Sequence, residues 1–311
     1  MLYKTNIMSL ISIVTVNYNQ PQATLALLNS IKLYYPEANL EIILVDNGSS
    51  ENKEADFKSC YKGINFIRSE VNIGFAAGNN LGIRKATGDY LFLVNNDTEF
   101  TADLIETLVD TMEKFPEIGI ISPKIKYFDQ PDMIQYAGFT PMNYYTCRNH
   151  CIGQFEIDKG QYDHIVAPTG YVHGAAMMLS RVALLKAGEM AENYFLYYEE
   201  MDWCEKIKNA GFEIWVNTNA TIYHKESLAV GKNSALKAYF MNRNRILFIR
   251  RNAGLMERCF FYVYFMLFVT PRNCFKYLND QTPNFIKVLF RAIWWNFTNS
   301  VNSKQLGYNL K

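Results

Sequence analysis

Residues 89–99 read DYLFLVNNDTE, and the fold is decided by the change from apolar to polar side chains within this stretch. The apolar run from Tyr90 to Val94 has the length of a buried strand, and two asparagines and an acid follow it directly. Open α/β sheets bind ligands at the edge where their strands end, and hard divalent cations prefer oxygen ligands. The stretch therefore predicts a strand that delivers Asn95, Asn96 and Asp97 to a cation carrying a diphosphate. An asparagine-rich turn without a ligand is the plainer alternative.

Two stretches nearer the N-terminus repeat this pattern. Residues 10–16 (LISIVTV) and 41–45 (EIILV) are short apolar runs rich in β-branched residues, and they end at Asn17 and Asp46. Pro21 suits the first turn of a helix between them. Strand, helix and strand with polar residues at the strand ends are typical of the nucleotide-binding half of a doubly wound sheet. We therefore predict an α/β fold with a doubly wound, mostly parallel sheet.

A glycine-rich segment, residues 72–82, follows a third predicted strand at residues 64–67. Small residues let a backbone approach a ligand closely and begin a helix whose N–H groups favour phosphate, but they equally serve a turn and tight helix packing. The spacing differs from the dinucleotide-binding fingerprint, because no G-x-G-x-x-G follows the first strand.

The regular alternation of strands and helices is lost after Ile121. Residues 125–170 are rich in aromatic side chains, and we interpret them as an insertion that shapes an acceptor pocket, with aromatic packing under a loop as the alternative. Cys147, His150 and Cys151 within it form a compact cluster that would need a further ligand to hold zinc.

A second acidic stretch occurs at residues 192–212, ENYFLYYEEMDWCEKIKNAGF. Its apolar segment stops at two glutamates, which begin a predicted helix that ends near Gly211. Acids in a first helical turn often only stabilise the helix through its dipole. Burial under aromatic side chains can, alternatively, shift the pKa of a carboxylate so that it acts as a general base. Two short strands are predicted downstream, at 214–216 and 221–223, and the second ends at His224, a candidate metal ligand.

The charge is unevenly distributed, although the formal net charge of the 311 residues is only +1. Residues 1–231 contain 18 basic and 28 acidic side chains, whereas residues 232–311 contain 13 basic and 2 acidic ones. The second region is therefore expected to have a different partner from the first. The six cysteines lack the spacing of a disulfide framework and the N-terminus lacks a convincing signal sequence, which together favour a cytoplasmic location.

Five segments in this order resemble glycosyltransferase family 2, whose members are inverting enzymes with the GT-A fold, and especially its bacterial rhamnosyltransferase-like members. They are SIVTVNYN, VDNGSS, NIGFAAGNNLGI, FLVNNDTE and FLYYEEMDWCEK, and the similarity covers about residues 10–250. The resemblance implies a GT-A catalytic domain at residues 1–231 followed by a basic helical region at 232–311.

The resemblance also implies roles for single residues of the donor site. Thr15, Asn17 and Asp46 would hold the nucleotide base and ribose, and Asn72 and Gly74 would line the nucleotide side.

The NND sequence stands where the family has its D-x-D motif, so Asp97 would bind Mg²⁺ or Mn²⁺, while Asn95 replaces the first acid. His224, 24 residues after Glu200, corresponds to a metal-binding histidine of some relatives. Arg243 would contact the donor diphosphate, although a basic helix face is a simpler explanation for it.

The general base implied by the resemblance is Glu200, the second member of the acidic pair, with Glu199 or Asp202 as possible substitutes. The implied reaction moves a sugar from a nucleotide-diphosphate donor to a cell-surface glycan or a lipid-linked acceptor. The resemblance favours dTDP-rhamnose as the donor and leaves UDP-hexoses as the alternative.

Three other functions were weighed. A nucleotidyltransferase that makes an activated sugar would show a glycine-rich basic loop after the first strand, and NYNQPQATLAL is not one. A non-catalytic sugar-nucleotide-binding protein would not need a glutamate after the aromatic segment. A nucleic-acid-binding protein would explain only the basic tail, so no nucleic-acid partner is expected.

The basic C-terminal region contains two apolar segments. Residues 259–269 (CFFYVYFMLFV) form an apolar run of eleven residues, too short to span a membrane, and Pro271 is expected to end it. Residues 284–298 have the pattern of a cationic, aromatic amphipathic helix. We predict that residues 255–300 hold the protein on the anionic inner face of the cytoplasmic membrane without crossing it. The alternative is that both segments pack against the catalytic domain or against a second subunit in a homodimer.

Overall fold

The computed structural model describes residues 9–36, 38–226 and 234–310. Within these ranges one ten-stranded sheet runs through the molecule in the order β3-β2-β1-β4-β9-β6-β10-β5, with β7 paired to β6 and β8 paired to β10. The strands are β1 (Ile11–Asn17), β2 (Leu40–Asn47), β3 (Asn65–Ser69), β4 (Tyr90–Val94), β5 (Thr98–Glu99), β6 (Ile118–Tyr127), β7 (Ile134–Tyr136), β8 (Val166–Pro168), β9 (Ala176–Ser180) and β10 (Glu213–His224).

The predicted α/β fold is confirmed, but the sheet is parallel only in part. The first four strands in the sheet order, β3 to β4, are parallel, as is the pair β6 and β10. Strand β9 lies antiparallel between β4 and β6. Parallel pairing needs a crossover connection, usually a helix, and the chain between β6 and β9 contains none. The sheet is therefore mixed beyond β4.

Alternating side chains of the central strands enter two hydrophobic clusters on opposite faces of the sheet. In β4, Leu91 and Leu93 belong to one cluster, whereas Phe92 and Val94 belong to the other. This alternation is the period of two expected for a strand covered on both faces. Strand β4 is therefore a fully buried central strand, as its apolar run predicts.

Ten helices are described, and they cover the sheet and build the C-terminal region. They are α1 (Pro21–Tyr34), α2 (Glu54–Cys60), α3 (Phe75–Ile83), α4 (Leu104–Lys114), α5 (Arg181–Ala187), α6 (Glu199–Asn209), α7 (Ala235–Asn252), α8 (Leu255–Tyr264), α9 (Thr270–Asn279) and α10 (Asn284–Thr298), with a 3₁₀ turn at Glu192–Tyr194 and a π-helical turn at Phe265–Val269. Pro21 occupies the first turn of α1, as predicted.

The two short strands predicted at 214–216 and 221–223 are in fact one strand, β10. Its register against β6 shifts between Asn217 and Thr221, so the extra residues are absorbed as an irregularity and not as a turn. The side chain of Asn217 is buried and donates a hydrogen bond to Thr111 Oγ1 at 2.8 Å. The polar residues that resemble a turn in the sequence are therefore accommodated inside a strand.

The C-terminal helices share a hydrophobic core with the sheet and the helices before residue 226. One hydrophobic cluster contains Leu179 and Trp203 together with Phe248 of α7, Phe261 of α8 and Leu289 of α10. The charge boundary near residue 231 is therefore not a boundary in packing.

The sequence predicts that Pro271 ends the apolar helix. It does not, because α8 continues through the π-helical turn directly into α9. Proline is tolerated in a first helical turn, and Pro271 occupies that position in α9. In the described ranges, no helix is both long enough and apolar enough to cross a membrane.

Candidate active site

The ends of β1 and β2 place two predicted residues side by side. Asn17 and Asp46 are aligned in the parallel register, and Asn17 Nδ2 donates to Asp46 Oδ1 at 3.2 Å and to Ser49 Oγ at 3.1 Å. Asn17 Oδ1 accepts a hydrogen bond from Thr24 Oγ1 of α1 at 3.0 Å. Asn17 therefore ties the ends of two strands to the helix that follows the first.

Two buried oxygen atoms at this edge have no hydrogen-bond partner among the described residues, namely Thr15 Oγ1 and Asp46 Oδ2. Arg68 Nη1 lies 3.4 Å from Asp46 Oδ2, which is close enough for an ion pair, although the two groups are not aligned for a hydrogen bond. An unpartnered buried polar atom costs free energy unless a ligand or water satisfies it. These two oxygen atoms are therefore available to hydrogen-bond a ligand or water.

The glycine-rich segment docks the loop that precedes the acidic helix. Gly74 has a φ of +90°, and a Cβ atom there would lie 2.5 Å from the carbonyl oxygen of Phe195. Phe75 N donates to that same oxygen at 2.7 Å. Asn72 Oδ1 accepts from Asn47 Nδ2 at 3.1 Å and from Gly74 N at 2.9 Å. Both predicted residues lie at the ligand edge, where Gly74 permits a close backbone approach and Asn72 holds the turn.

The three residues that follow β4 have different surroundings. Asn96 Nδ2 donates to Thr24 Oγ1 at 3.0 Å and so fixes the loop to α1. The carbonyl oxygen of Asn95 accepts hydrogen bonds from the N–H and the hydroxyl group of Thr98, and the Asn95 side chain is partly exposed. Asp97 is buried, with 3% of its surface exposed. Asn95 and Asn96 thus hold the turn that positions Asp97.

Strand pairing explains how Asp97 meets His224. The short strand β5 pairs antiparallel with the end of β10, with Thr98 opposite His224, and Lys225 N donates to the carbonyl oxygen of Asp97 at 2.9 Å. As a result, His224 Nε2 lies 3.2 Å from Asp97 Oδ1. The predicted pair of metal ligands is therefore brought together by backbone register.

The arrangement around His224 fits a divalent cation. Gln135 Oε1 lies 2.8 Å from His224 Nδ1, and because an amide oxygen only accepts, Nδ1 carries the proton. In the neutral ring the lone pair of Nε2 then faces a carboxylate oxygen, and two acceptors repel each other unless a cation lies between them. Both oxygens of Asp97 and Nε2 of His224 are buried without a hydrogen-bond partner in the described structure.

One carboxylate and one imidazole, with a second group fixing the tautomer of the imidazole, suit a site that leaves positions open for substrate oxygens. Within the described ranges, no group of three or more His, Cys, Asp or Glu residues could hold a metal ion, so the protein would supply only two such ligands here. The cysteine cluster is not a zinc site either, since Cys147 Sγ faces the carbonyl oxygen of Arg245 and Cys151 Sγ faces that of Gln135.

His173 lies beside His224, although the sequence offers it only as a possible further ligand of the cysteine cluster. Its ring lies parallel to that of Phe139 and edge-on to that of His224, with centroids 6.4 and 6.1 Å apart respectively. Burial and the neighbouring His224 lower the pKa of His173 to about 3, so it is neutral at physiological pH. Its Nδ1 accepts from Ala175 N at 3.1 Å, which leaves the proton on Nε2.

The acidic pair begins α6 after an unusual turn. Phe195, Tyr197 and Tyr198 all have positive φ angles, of 66°, 72° and 73°. Three such residues without glycine make a costly backbone that persists only where neighbouring groups hold it. The side-chain nitrogen Nδ2 of Asn244, on α7, donates hydrogen bonds of 2.8 to 2.9 Å to the carbonyl oxygens of Tyr194, Leu196 and Tyr197. Asn244 therefore clamps the turn that positions the two glutamates.

The three acids in the first turn of α6 have distinct environments. Asp202 accepts hydrogen bonds from Tyr194 Oη and Asn252 Nδ2, both at 2.9 Å, and from Arg251 Nη1 at 3.3 Å, so it anchors α7 and is not a free base. Burial raises the pKa of Glu199, and the charge of Glu200 raises it further. Burial also raises the pKa of Glu200, which is only partly covered and lies beside Gly174.

Arg243 does not lie with the other predicted residues. Its guanidinium group is fully buried 3.9 Å from the centroid of the Trp295 ring, and Nη1 donates to Asn244 Oδ1 at 2.7 Å. Burial lowers the pKa of Arg243 to about 10, which still leaves it charged at neutral pH. In this structure Arg243 orients the asparagine clamp among the C-terminal helices.

Comparisons with known proteins find relatives that share sequence with most of the chain. The chain is 27% identical over 244 residues to the low-salt glycan biosynthesis hexosyltransferase Agl10 of Haloferax volcanii, covering 76% of this chain and 74% of the relative. It is 20% identical over 239 residues to the N-acetylglucosaminyl-diphospho-decaprenol L-rhamnosyltransferase of Mycobacterium tuberculosis, covering 70% of this chain and 77% of that protein.

Two solved structures share the fold. GalNAc-T7 with UDP, GalNAc and Mn²⁺ superposes with a TM-score of 0.64 at 16% identity, over 78% of this chain and 48% of that one, so this chain spans about half of that structure. The mannosyltransferase PcManGT from Pyrobaculum calidifontis, with GDP-Man and Mn²⁺, gives a TM-score of 0.56 at 14% identity, over 94% of this chain and 76% of that one.

The sequence model of the family described as glycosyl transferase family 2 matches residues 12–183, which is more than half of the chain. The matched residues include the strand ends that carry Asn17, Asp46 and Asp97. This protein therefore belongs to glycosyl transferase family 2 and is a glycosyltransferase.

Proposed function

We propose that this protein transfers a sugar, with inversion, from a nucleoside-diphosphate sugar to a hydroxyl group of a glycan or lipid-linked acceptor, with Glu200 as the general base. The observation that carries the proposal is the pair of buried ligand groups, Asp97 and His224, whose facing atoms have no partner. His173 contacts His224, and the adjacent Gly174 lies beside Glu200. The dipeptide His173–Gly174 therefore connects the proposed metal ligands with the proposed base.

A divalent cation, Mg²⁺ or Mn²⁺, would be held by Asp97 and His224, with Gln135 fixing the tautomer of the histidine. This assignment is supported by the orphaned atoms and by the Mn²⁺ named in both solved structures. When bound, such a cation would supply positive charge that stabilises a departing diphosphate.

The residues of the chain itself perform the remaining steps. Thr15, Asn17 and Asp46 bind the nucleoside through atoms that are unpaired or held in fixed hydrogen bonds. Asn72 and Gly74 shape the adjoining wall, and Asn95 and Asn96 hold the loop under the diphosphate. Arg243 is not part of this proposal, since its guanidinium group is buried against Trp295.

Glu200 accepts the proton of the acceptor hydroxyl as that oxygen bonds to the anomeric carbon and the bond from that carbon to the diphosphate oxygen breaks. A raised pKa makes a carboxylate a stronger base, and burial raises the pKa of Glu200. The neutral His173, with its proton on Nε2, adds a hydrogen-bond donor on the same side of the site.

The names of two relatives support the proposed donor and acceptor. The name of the mycobacterial relative specifies rhamnose and a lipid diphosphate, whereas the name of the Haloferax relative specifies only a hexose. The proposal therefore takes dTDP-rhamnose as the first donor to test, with UDP-hexoses second, and a lipid-linked glycan as the acceptor.

The proposal includes docking on the anionic inner face of the cytoplasmic membrane. Large apolar side chains that are more than half exposed recur at helical spacing along α8 to α10: Phe260, Val263, Leu267, Phe268, Phe275, Leu278, Phe290, Trp294 and Phe297. Exposed cations at Arg272, Lys276, Lys287 and Arg291 lie on two of these helices, α9 and α10. Each cation close to an anionic surface contributes about 1 kcal/mol, and the aromatic rings suit the interface.

A truncation before α8 cannot test this docking, because it would uncover Phe261 and Leu289 in the core. The variant Phe268→Ser/Trp294→Ser removes only exposed rings. Wild-type protein should sediment with anionic liposomes at low salt, and this variant should stay in the supernatant. Equal sedimentation of the two proteins would contradict membrane docking, and concentration-dependent self-association lost in the variant would favour the homodimer instead.

The transfer itself is tested by nucleoside diphosphate release from dTDP-rhamnose, UDP-glucose and GDP-mannose, each with and without Mn²⁺. One donor should be consumed in a metal-dependent manner. A thermal-shift titration with dTDP, UDP and GDP should identify the same nucleotide, since a ligand that binds the folded state raises its stability. Metal-independent release from every donor would contradict the proposed cation site.

A further inference from the structure

A cavity with polar and apolar lining lies outside the strand-end site. It has a volume of about 290 Å³ and is lined by α7, α9 and the start of α10, with Tyr198 on its wall. Its basic side chains are Lys237, Arg245 and Lys276. Three cations around one small cavity indicate a site for an anion.

The cations of this cavity have no ion-pair partner among the described residues. None of the three forms an ion pair with a carboxylate in the part of the chain that the structure describes. Arg245 Nη2 donates to the carbonyl oxygen of Thr146 at 2.6 Å, and its Nε is buried without a partner. Asp280, an acid on the wall, offsets part of this positive charge.

Polar side chains hold the wall in place. Asn242 Nδ2 donates to Tyr277 Oη at 3.3 Å, and Asn242 Oδ1 accepts from Asn273 Nδ2 at 3.0 Å. These bonds join α7 to α9 across the cavity, so Lys237 and Lys276 project from two helices whose spacing is fixed. A pre-formed wall lowers the entropy cost of binding.

The position of the cavity defines the kind of anion. On one side, Tyr198 directly precedes Glu199 and Glu200, so the cavity adjoins the turn that carries the proposed base. The helix α9, which carries Lys276 of the lining, also presents Phe275 and Leu278 to solvent, 75% and 58% exposed. A ligand that fits this position has an anionic group with a sugar at one end and an apolar chain at the other.

We infer that this cavity binds the phosphate or diphosphate group that links the lipid to the sugar of the acceptor. The inference rests on the proposed function, because it names the acceptor class of that reaction. Ligand pockets commonly measure about 300–1,000 Å³, so a cavity of about 290 Å³ suits the linking phosphates and not a whole glycan.

A binding measurement tests the inference without catalysis. The probe is farnesyl diphosphate, titrated into full-length protein in EDTA so that the metal-dependent donor site does not contribute. Wild-type protein should bind it, inorganic pyrophosphate should compete, and farnesol should not compete. Equal competition by farnesol would show that only the apolar chain is recognised and would overturn the inference.

Substitutions of the charged residues in the cavity should change the affinity for farnesyl diphosphate in opposite directions. Lys237→Gln/Lys276→Gln should weaken farnesyl diphosphate binding about ten-fold or more, because two charge-assisted contacts are lost. Asp280→Asn should strengthen it, a gain that partial unfolding cannot imitate. The matched control Lys304→Gln removes an exposed cation of the C-terminal region that does not line the cavity, and it should leave binding unchanged. Equal affinities in all four proteins would overturn the inference.

Kinetics separate this inference from the proposed function. With a short prenyl-diphosphate-linked sugar as acceptor, Lys237→Gln/Lys276→Gln should raise the acceptor KM and leave kcat and donor hydrolysis unchanged. An unchanged acceptor KM in an active enzyme would overturn the inference alone. Absence of donor turnover in the wild type would count against the proposed function, while the binding measurement would still decide the anion site.

Discussion

The strand-end site and the clamped turn before α6 differ in how their buried polar residues are used. At the strand ends, Asp97, His224 and Thr15 keep buried polar atoms that no described residue satisfies. In α7, Asn244 is equally buried, but its amide group bonds three carbonyl oxygens of the turn before α6. Unpartnered groups are available to a ligand, whereas fully partnered groups hold the ligand site in shape.

This difference separates residues that perform chemistry from residues that position them. Losing a group of the first kind should abolish turnover with little loss of stability. Losing one of the second kind should lower stability and turnover together. The following predictions test this separation, from the largest expected effect to the smallest.

The largest of these effects is expected for His224→Ala. Loss of a residue that orients a metal ligand typically costs about 10–100-fold in metal affinity or activity, so loss of His224 itself should cost more, and Gln135→Leu should fall within that range. Mn²⁺ binding measured by electron paramagnetic resonance, in the presence of nucleoside diphosphate, checks both variants. The control His164→Ala removes an exposed histidine outside the site and should bind Mn²⁺ normally. Unchanged Mn²⁺ affinity in His224→Ala would contradict the assigned cation site.

A moderate effect is expected for Asn244→Leu. The change leaves carbonyl oxygens of the strained turn unsatisfied, which costs about 1–3 kcal/mol of unfolding free energy per buried group. Because Glu199 and Glu200 follow that turn, kcat should fall with it while the KM for the donor changes little. Denaturant unfolding and steady-state kinetics measure the two quantities. Ile293→Val in α10 lowers stability away from the turn, and a similar fall of kcat in this control would refute the role of Asn244 as a clamp.

The smallest effect is expected for Glu199→Gln and concerns stability. Burial raises the pKa of Glu199 in the folded protein above its ordinary value of about 4.5, so the folded state binds this proton more tightly than the unfolded state. The resulting stability is present below the unfolded pKa and is lost as the pH rises through the folded pKa.

In Glu199→Gln the side chain cannot ionise, so the variant does not lose stability in this way as the pH rises. It should unfold at a higher temperature than the wild type at neutral pH and at a similar temperature near pH 4. Thermal unfolding across this pH range checks it, with Glu117→Gln, an exposed acid, as the control. A variant that is less stable than the wild type at neutral pH would contradict the buried, protonatable state of Glu199.

The sequence predicted the parts of the site that depend on short stretches of chain. Asn17, Asp46 and Asp97 each follow a short apolar run, and the end of a buried strand is where such a run changes to polar residues. The same local reasoning located the start of α6 at the glutamate pair, because aromatic residues stop there and helical periodicity begins.

The remaining features depend on pairing between distant segments. Gln135 reaches His224 from within the aromatic insertion, and only the packing of β7 against β6 places it there. The antiparallel direction of β9 and the irregularity in β10 likewise follow from tertiary connections. The sequence suggested a ligand role for Arg243, but packing of α10 on α7 covers it with Trp295. Composition alone could not show which basic residues of the tail are buried.

The most direct test of the central claim is the turnover of Glu200→Gln, with the correct donor, its acceptor and Mn²⁺. General-base assistance is typically about 10²–10⁴-fold, so kcat should fall by that factor, while the affinity for nucleoside diphosphate and Mn²⁺ should match the wild type. That result would assign the chemistry to Glu200 and donor binding to the strand ends. Near-wild-type turnover in Glu200→Gln would contradict the account.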